Sequence, residues 1–182
     1  MGCLSVSYLN KFAQGSVFIE TGCSEGWTLS RAKEFGFSQI YGIELQSNFI
    51  AHCKDKFKND STIKIIEGDS PDILREICAT LTEKATFWLD AHEAGSDLAS
   101  PIYGRCPLLE ELMAINLSPI KDHVLMIDDI RLLNTHQFDF LQIEQVMEAI
   151  YNINPNYIIT YIDGMEDGSF PNDILIATVD NK

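Results

Sequence analysis

The chain has 182 residues, long enough for a substantial core, and its composition, 46% hydrophobic and 22% charged, is ordinary for a soluble globular protein. A net charge of −14 argues against nucleic-acid partners, which need basic stripes, and no apolar run reaches the roughly 18 residues of a membrane span. The cysteines (Cys3, Cys23, Cys53, Cys78 and Cys106) are scattered and form no C-x-x-C pair, which suits reduced thiols in a cytoplasmic protein.

The amino terminus, MGCLSVSYLNKF, lacks the basic-then-apolar order of a secretory signal, and Val6 breaks a myristoylation pattern. Beyond it, short apolar runs alternate with turns and helical patterns. SVFIE (16–20) reads as a strand leading into SEGWTLSRAKEFG, where Leu29, Ala32 and Phe35 recur at helical spacing and Gly36 is a stop signal. IYGIEL (40–45) precedes SNFIAHCKDKF, with Phe49, Cys53 and Phe57 on one face. TIKIIEGD (62–69) precedes SPDILREICATL, in which Ser70 is the expected N-cap and Pro71 the first helical residue; Ile73, Leu74, Ile77 and Leu81 form the stripe.

TFWLD (86–90) opens onto an irregular stretch before CPLLEELMAI, again with a proline at a helix start. HVLMIDD (123–129) precedes a helix expected to carry Phe140, Ile143, Met147 and Ile150. YIITYID (157–163) and DILIATV (173–179) are strand-like, and the nine residues between them are too few for a helical crossover. They are therefore expected to pair antiparallel. The whole predicts one α/β domain over residues 1–182, with a mostly parallel sheet covered on both faces.

Ligands on such sheets bind beyond the carboxyl ends of the strands. Glu20, Glu44, Asp69, Asp90, Asp128 and Asp129 all fall there. In FIETGCSEGWT, Gly22 and Gly26 allow close approach of backbone to a ligand, although a bare strand-to-helix turn would use them equally. Neither a dinucleotide fingerprint nor a phosphate loop is present, which lowers nicotinamide and nucleoside-triphosphate chemistry. Glu44, 22 residues after Gly22, stands near the offset at which an acid meets ribose hydroxyls, or is a solvated strand-end carboxylate. Asp69 and Ser70 offer an acceptor and a hydroxyl to an adenine edge, or Asp69 caps the following helix.

The series VFIETGCSEGWTLS, YGIEL, IIEGDSPDIL, FWLDAH and HVLMIDD resembles the class I S-adenosylmethionine-dependent methyltransferases over nearly the whole chain. The resemblance implies a Rossmann-like three-layer sandwich whose seven-stranded sheet has an antiparallel last strand. It also implies a cofactor site: Glu20 near the methionine amino group, Gly22 against the methionine portion, Glu44 at the ribose hydroxyls, Asp69 and Ser70 facing the adenine, and Cys23, Ser24, Gly26, Leu45 and Asp90 as further cofactor contacts. The loop departs from the usual pattern, reading E-x-G-x-x-x-G. That form occurs in the branch of metal-dependent sugar O-methyltransferases of macrocin and novobiocin type.

Adjacent Asp128 and Asp129 repel each other, and a divalent cation is the simplest neutraliser; oxygen ligands favour Mg2+, Ca2+ or Mn2+. The resemblance makes Asp90, Asp128 and Asp129 the metal ligands. An alternative has one of the pair capping the next turn while the other meets Arg131. His92, two residues after Asp90, is the candidate base for an acceptor hydroxyl, or a loop histidine bonded to backbone. His52, His123 and His136 are read as structural. The loop 91–105 is a candidate lid, with Tyr103 and Arg105 as acceptor contacts.

The leading expectation is metal-dependent O-methylation of a small hydroxylated acceptor, such as a sugar or phenol. The acceptor pocket would come from the loop, from residues 130–138, or from a second copy in a homo-oligomer. The competing expectations are a metal-dependent hydrolase built on Asp90, His92, Asp128 and Asp129, and a methyltransferase-like binding module without activity.

Overall fold

A computed structural model describes residues 4–92 and 100–180. Among these residues, seven strands form one sheet: β1 (Val17–Thr21), β2 (Gln39–Glu44), β3 (Ile63–Glu67), β4 (Ala85–Leu89), β5 (Val124–Ile127), β6 (Ile158–Ile162) and β7 (Ile174–Thr178). Their order is β3-β2-β1-β4-β5-β7-β6. β1 to β5 pair in parallel, whereas β7 runs antiparallel to both β5 and β6. The expected mixed sheet and its antiparallel last strand are therefore present, in a Rossmann-like fold.

Among the described residues, six α-helices cover the sheet: α1 (Val6–Phe12), α2 (Trp27–Phe35), α3 (Ser47–Lys56), α4 (Ser70–Thr80), α5 (Leu108–Ile115) and α6 (Ile143–Ile153). Alternation along β1 sends Val17 and Ile19 to one face and Phe18 to the other. The first face packs with Phe87, Leu125 and Leu175 against Leu74, Leu112 and Ile150 of α4, α5 and α6. The second packs with Trp88 and Met126 against Leu9, Leu29 and Cys53 of α1, α2 and α3. Burial on both faces explains why the central strands read as unbroken apolar runs.

Several local expectations are corrected. α1 is an additional helix, capped by Ser5, whose hydroxyl accepts from the Tyr8 amide at 3.2 Å; its seven residues are too few to display a stripe. α4 starts at Ser70, so Asp69 takes the cap position and Pro71 is the second helical residue. In α3 the buried residues are Ile50 and Cys53, while Phe49 turns to the cavity described below. Phe140 lies outside α6, exposed and at φ 58°, because the helix starts only after Gln142 and Gln145 form a reciprocal capping box. No helix among the described residues is long and apolar enough to cross a membrane. Cys23, Cys53, Cys78 and Cys106 are free thiols, and Cys3 lies outside the described residues.

Buried His123 holds a structural place, as expected. Its Nδ1 accepts from the Ala85 amide at 3.1 Å, its Nε2 meets Ser118 Oγ at 2.9 Å, and burial pushes its pKa down to about 4. Leu112 is fully buried where α5 meets the sheet. Leu112→Ala is expected to cost about 2–5 kcal/mol, read as a lower midpoint of urea unfolding at unchanged slope.

Candidate active site

Strand order reverses between β1 and β4, where a parallel sheet leaves a crevice at its carboxyl edge. A cavity of about 610 Å3 occupies this place. Gly22, at φ +70°, lets the β1 loop lie against the β4 loop: a Cβ there would stand 2.7 Å from the Asp90 carbonyl oxygen and 2.9 Å from Ala91 Cα. Gly26 starts α2 in the left-handed region, with the Phe57 ring 2.7 Å from where a Cβ would be. Both glycines are thus required by backbone conformation and by close packing.

Of the residues expected at the cofactor, Gly22, Ser24, Glu44, Leu45, Asp69, Ser70 and Asp90 line the cavity. Glu20, Cys23 and Gly26 are not in its wall. Cys23 is buried in the core under the loop, and Gly26 serves the helix start. Glu20 is 2% exposed, with Oε2 unpartnered. Burial first, and then the Asp90 charge, raise its carboxyl well above the usual range.

Glu44 is held rather than solvated. Its Oε1 accepts from the amides of Leu45 and Gln46, each at 2.9 Å, and its Oε2 accepts from the Ser24 amide at 2.8 Å. A carboxylate offers about four lone-pair sites. With three occupied, one site on Oε2 remains for a ligand hydroxyl.

The aspartate cluster is compensated by the chain itself. Asp129, in the left-handed region at φ 55°, meets His92 Nε2 through Oδ2 at 2.7 Å and Arg131 through Oδ1. His92 also stands 3.3 Å from Asp90 Oδ1. Arg131 pairs in addition with Asp173, which is 1% exposed at the start of β7, and its guanidinium lies 4.4 Å from the centre of the Phe170 ring. Asp128 accepts from the Asp129 amide at 2.9 Å through Oδ1, while its buried Oδ2 has no partner. The sequence alternative, with Arg131 as counter-ion, thus describes Asp129 as the chain stands.

Titration follows from these contacts. Burial disfavours charge on His92, but hydrogen bonds to Asp129 and Asp90, with their charges, outweigh it and raise the pKa to about 10. Burial likewise opposes charge on Asp129, and His92 and Arg131 prevail to hold it below the ordinary value. Asp128, lacking a cation, is pushed well up by burial and by Asp90 and Asp129.

The three aspartates expected to share one cation fall into two overlapping groups: Asp90 with His92 and Asp129, and Asp128 with Asp129 and Asp173, each with ligand atoms within 4.8 Å. These oxygens and the orphaned Oδ2 of Asp128 suit a hard cation, but His92 and Arg131 already hold the carboxylates it would use. His92 does line the cavity, as a base must. As an imidazolium it has no lone pair for a hydroxyl proton.

Of the expected acceptor contacts, Arg105 lines the cavity, with its amide donating to Asp139 at 2.7 Å. Tyr103 does not line it: its hydroxyl donates to Asp72 at 2.7 Å and accepts from Arg75 at 3.1 Å, which ties this segment to α4. Residues 93–99 of the expected lid lie outside the described residues.

Sequence reasoning missed Asp173 and Glu111. Glu111, 1% exposed on α5, accepts from the Ser70 hydroxyl and has Thr21 within hydrogen-bonding reach. Burial raises its pKa to about 7 against those hydrogen bonds. Its only sequence signal is an acid inside the apolar run LLEELMAI.

No protein-family model matches this chain, and no curated protein matches it by sequence. Solved structures do. A candidate rRNA methylase from Clostridium thermocellum superposes with a TM-score of 0.65 at 12% identity, over 94% of this chain and 92% of that one. A candidate methyltransferase from Streptococcus mutans, in complex with S-adenosylhomocysteine (SAH), gives 0.62 at 13% identity over 95% and 94%. An SAH-bound methyltransferase from Podospora anserina gives 0.57 at 15% identity over 91% and 72%. Likeness at this identity establishes a shared fold, which does not carry activity or substrate with it.

Glu111 yields a pH prediction. A carboxyl with a folded pKa of about 7, against 4.5 when unfolded, contributes full stability below pH 4.5 and loses it as pH rises to 7. Glu111→Gln is therefore expected to raise unfolding stability at pH 8, by up to about 3 kcal/mol, with the gain vanishing near pH 4.5. Denaturant titrations at the two pH values check it.

Proposed function

We propose that the protein is an S-adenosylmethionine-dependent methyltransferase that O-methylates a small hydroxylated acceptor, with a divalent cation at the aspartate cluster. One observation carries this reading: Glu44, fixed by three backbone amides, faces a cavity at the strand-order reversal that Gly22 keeps open. The known structures of the same fold that hold SAH support the choice of cofactor.

When bound, the cofactor supplies an electrophilic methyl group on a sulfonium. The chain binds and orients. Glu44 accepts one ribose hydroxyl on Oε2, and Asp69 and Ser70 meet the base. Gly22, Ser24 and Asp90 enclose the methionine end. The acceptor enters between Arg105 and the His92–Asp129–Arg131 group, where positioning supplies much of the rate.

Asp90, Asp128, Asp129 and Asp173 are the residues that would hold the cation, which would lower the pKa of an acceptor hydroxyl. His92 as base requires that its proton first leave the grip of Asp129 and Asp90. A metal-dependent hydrolase leaves the fixed Glu44 and the open glycine loop without a role.

Two outcomes are expected. SAH should raise the melting temperature, and Glu44→Ala should weaken SAH binding by about 1–3 kcal/mol in calorimetry. An unchanged affinity in a folded mutant removes Glu44 from the site. For the cation, Arg131→Met should tighten Mg2+ binding by removing a competing charge, and Asp128→Asn should weaken it. Isothermal titration with Mg2+ alone reads both, and a chain blind to Mg2+ in all three forms ends the metal proposal.

A further inference from the structure

Glu111 stands where an apolar residue would pack. Its neighbours on α5, Leu108, Leu112 and Ile115, are all core, and a buried acid there is commonly less stable than a hydrophobic side chain of similar volume. What the carboxylate does instead is accept a hydrogen bond from the Ser70 hydroxyl. It also reaches Thr21, whose Oγ1 accepts from the Asp90 amide at 3.3 Å.

A hydroxyl has one donor and two acceptor lone pairs. With its proton committed inward to Glu111, Ser70 can only accept on the cavity side. Asp69 lines the same wall, its side chain makes no capping bond to α4, and a carboxylate also only accepts. Two adjacent side chains thus offer acceptors and no donor.

We infer that Glu111 is a specificity-determining positioning residue: by holding the Ser70 proton, it makes Asp69 and Ser70 an acceptor wall that selects an amino-bearing nucleobase over its oxo counterpart. The inference rests on the proposed cofactor reading. An exocyclic amine donates to this wall. An oxo group in its place would set a lone pair against lone pairs, and a site built to hydrogen-bond one rejects the other strongly. Without the carboxylate, Ser70 is free to rotate and donate to either.

The test is calorimetric titration at pH 8, above the Glu111 pKa of about 7, of SAH and of its deaminated form, S-inosylhomocysteine, against the wild-type chain, Glu111→Met, Ser70→Ala and the double variant. The wild type should prefer SAH by roughly tenfold or more. Glu111→Met should lose most of that preference while remaining at least as heat-stable as the wild type at pH 8. Ser70→Ala should lose a similar share, and the double variant should lose no more than either alone, because the two act as one unit. Should Glu111→Met fold poorly, Glu111→Leu serves: it also fills the apolar site and leaves Ser70 no acceptor there, so the preference must still fall. Full preference retained in folded Glu111 variants, or additive losses in the double variant, overturns the inference. A wild type that binds neither ligand refutes the cofactor reading itself, whereas binding both equally refutes only the acceptor wall.

Discussion

Asp129 is the joint on which the His92 side of the cavity depends. Its two carboxylate oxygens meet different cations, His92 from the loop after β4 and Arg131 from the turn after β5. Arg131 extends the contact to Asp173, and the Asp173 backbone oxygen accepts from the Ile130 amide at 3.0 Å. One carboxylate thereby links the ends of β4, β5 and β7. Four acidic groups at one sheet edge would otherwise repel, and their burial sharpens the repulsion. The left-handed backbone at Asp129 is tolerable in an aspartate and aims the side chain between its partners.

The Glu44 side of the cavity is built on another principle. There the polar partners of Glu44 are backbone amides, which cannot swing away, so the carboxylate is fixed before any ligand arrives. A preorganised acceptor loses less on binding than a mobile one. The two halves of the cavity differ accordingly: one wall is set by main chain and the other by exchangeable ion pairs. Side-chain ion pairs can change partners by rotation about side-chain bonds, whereas the glycine loop cannot move without disturbing β1 and β4 together.

Much of this was legible in the sequence because the informative residues sit at strand ends, where chain order translates directly into place. The apolar runs ending at Glu20, Glu44, Asp90 and Asp128 located the edge, and short connections fixed the antiparallel return of β7. Gly22 was readable as a loop glycine, although its contact with the Asp90 carbonyl was not. Illegible were features that depend on how elements turn against one another. Glu111 faces inward because α5 lies over the ends of β1 and α4, and Asp173 reaches Arg131 only through strand pairing across the sheet. Tyr103 bonds to α4 instead of facing the cavity, and Phe140 joins a turn with consecutive left-handed residues, Asp139 and Phe140. No periodic pattern encodes such contacts.

The most direct measurement is a crystal structure of the protein grown with S-adenosylhomocysteine. The expected result is a single ligand in the cavity between β1 and β4, with one ribose hydroxyl on Glu44 Oε2, the base against Asp69 and Ser70, and the sulfur end toward His92 and Asp129. A cavity left empty at saturating ligand, or a ligand whose ribose lies away from Glu44, would contradict it.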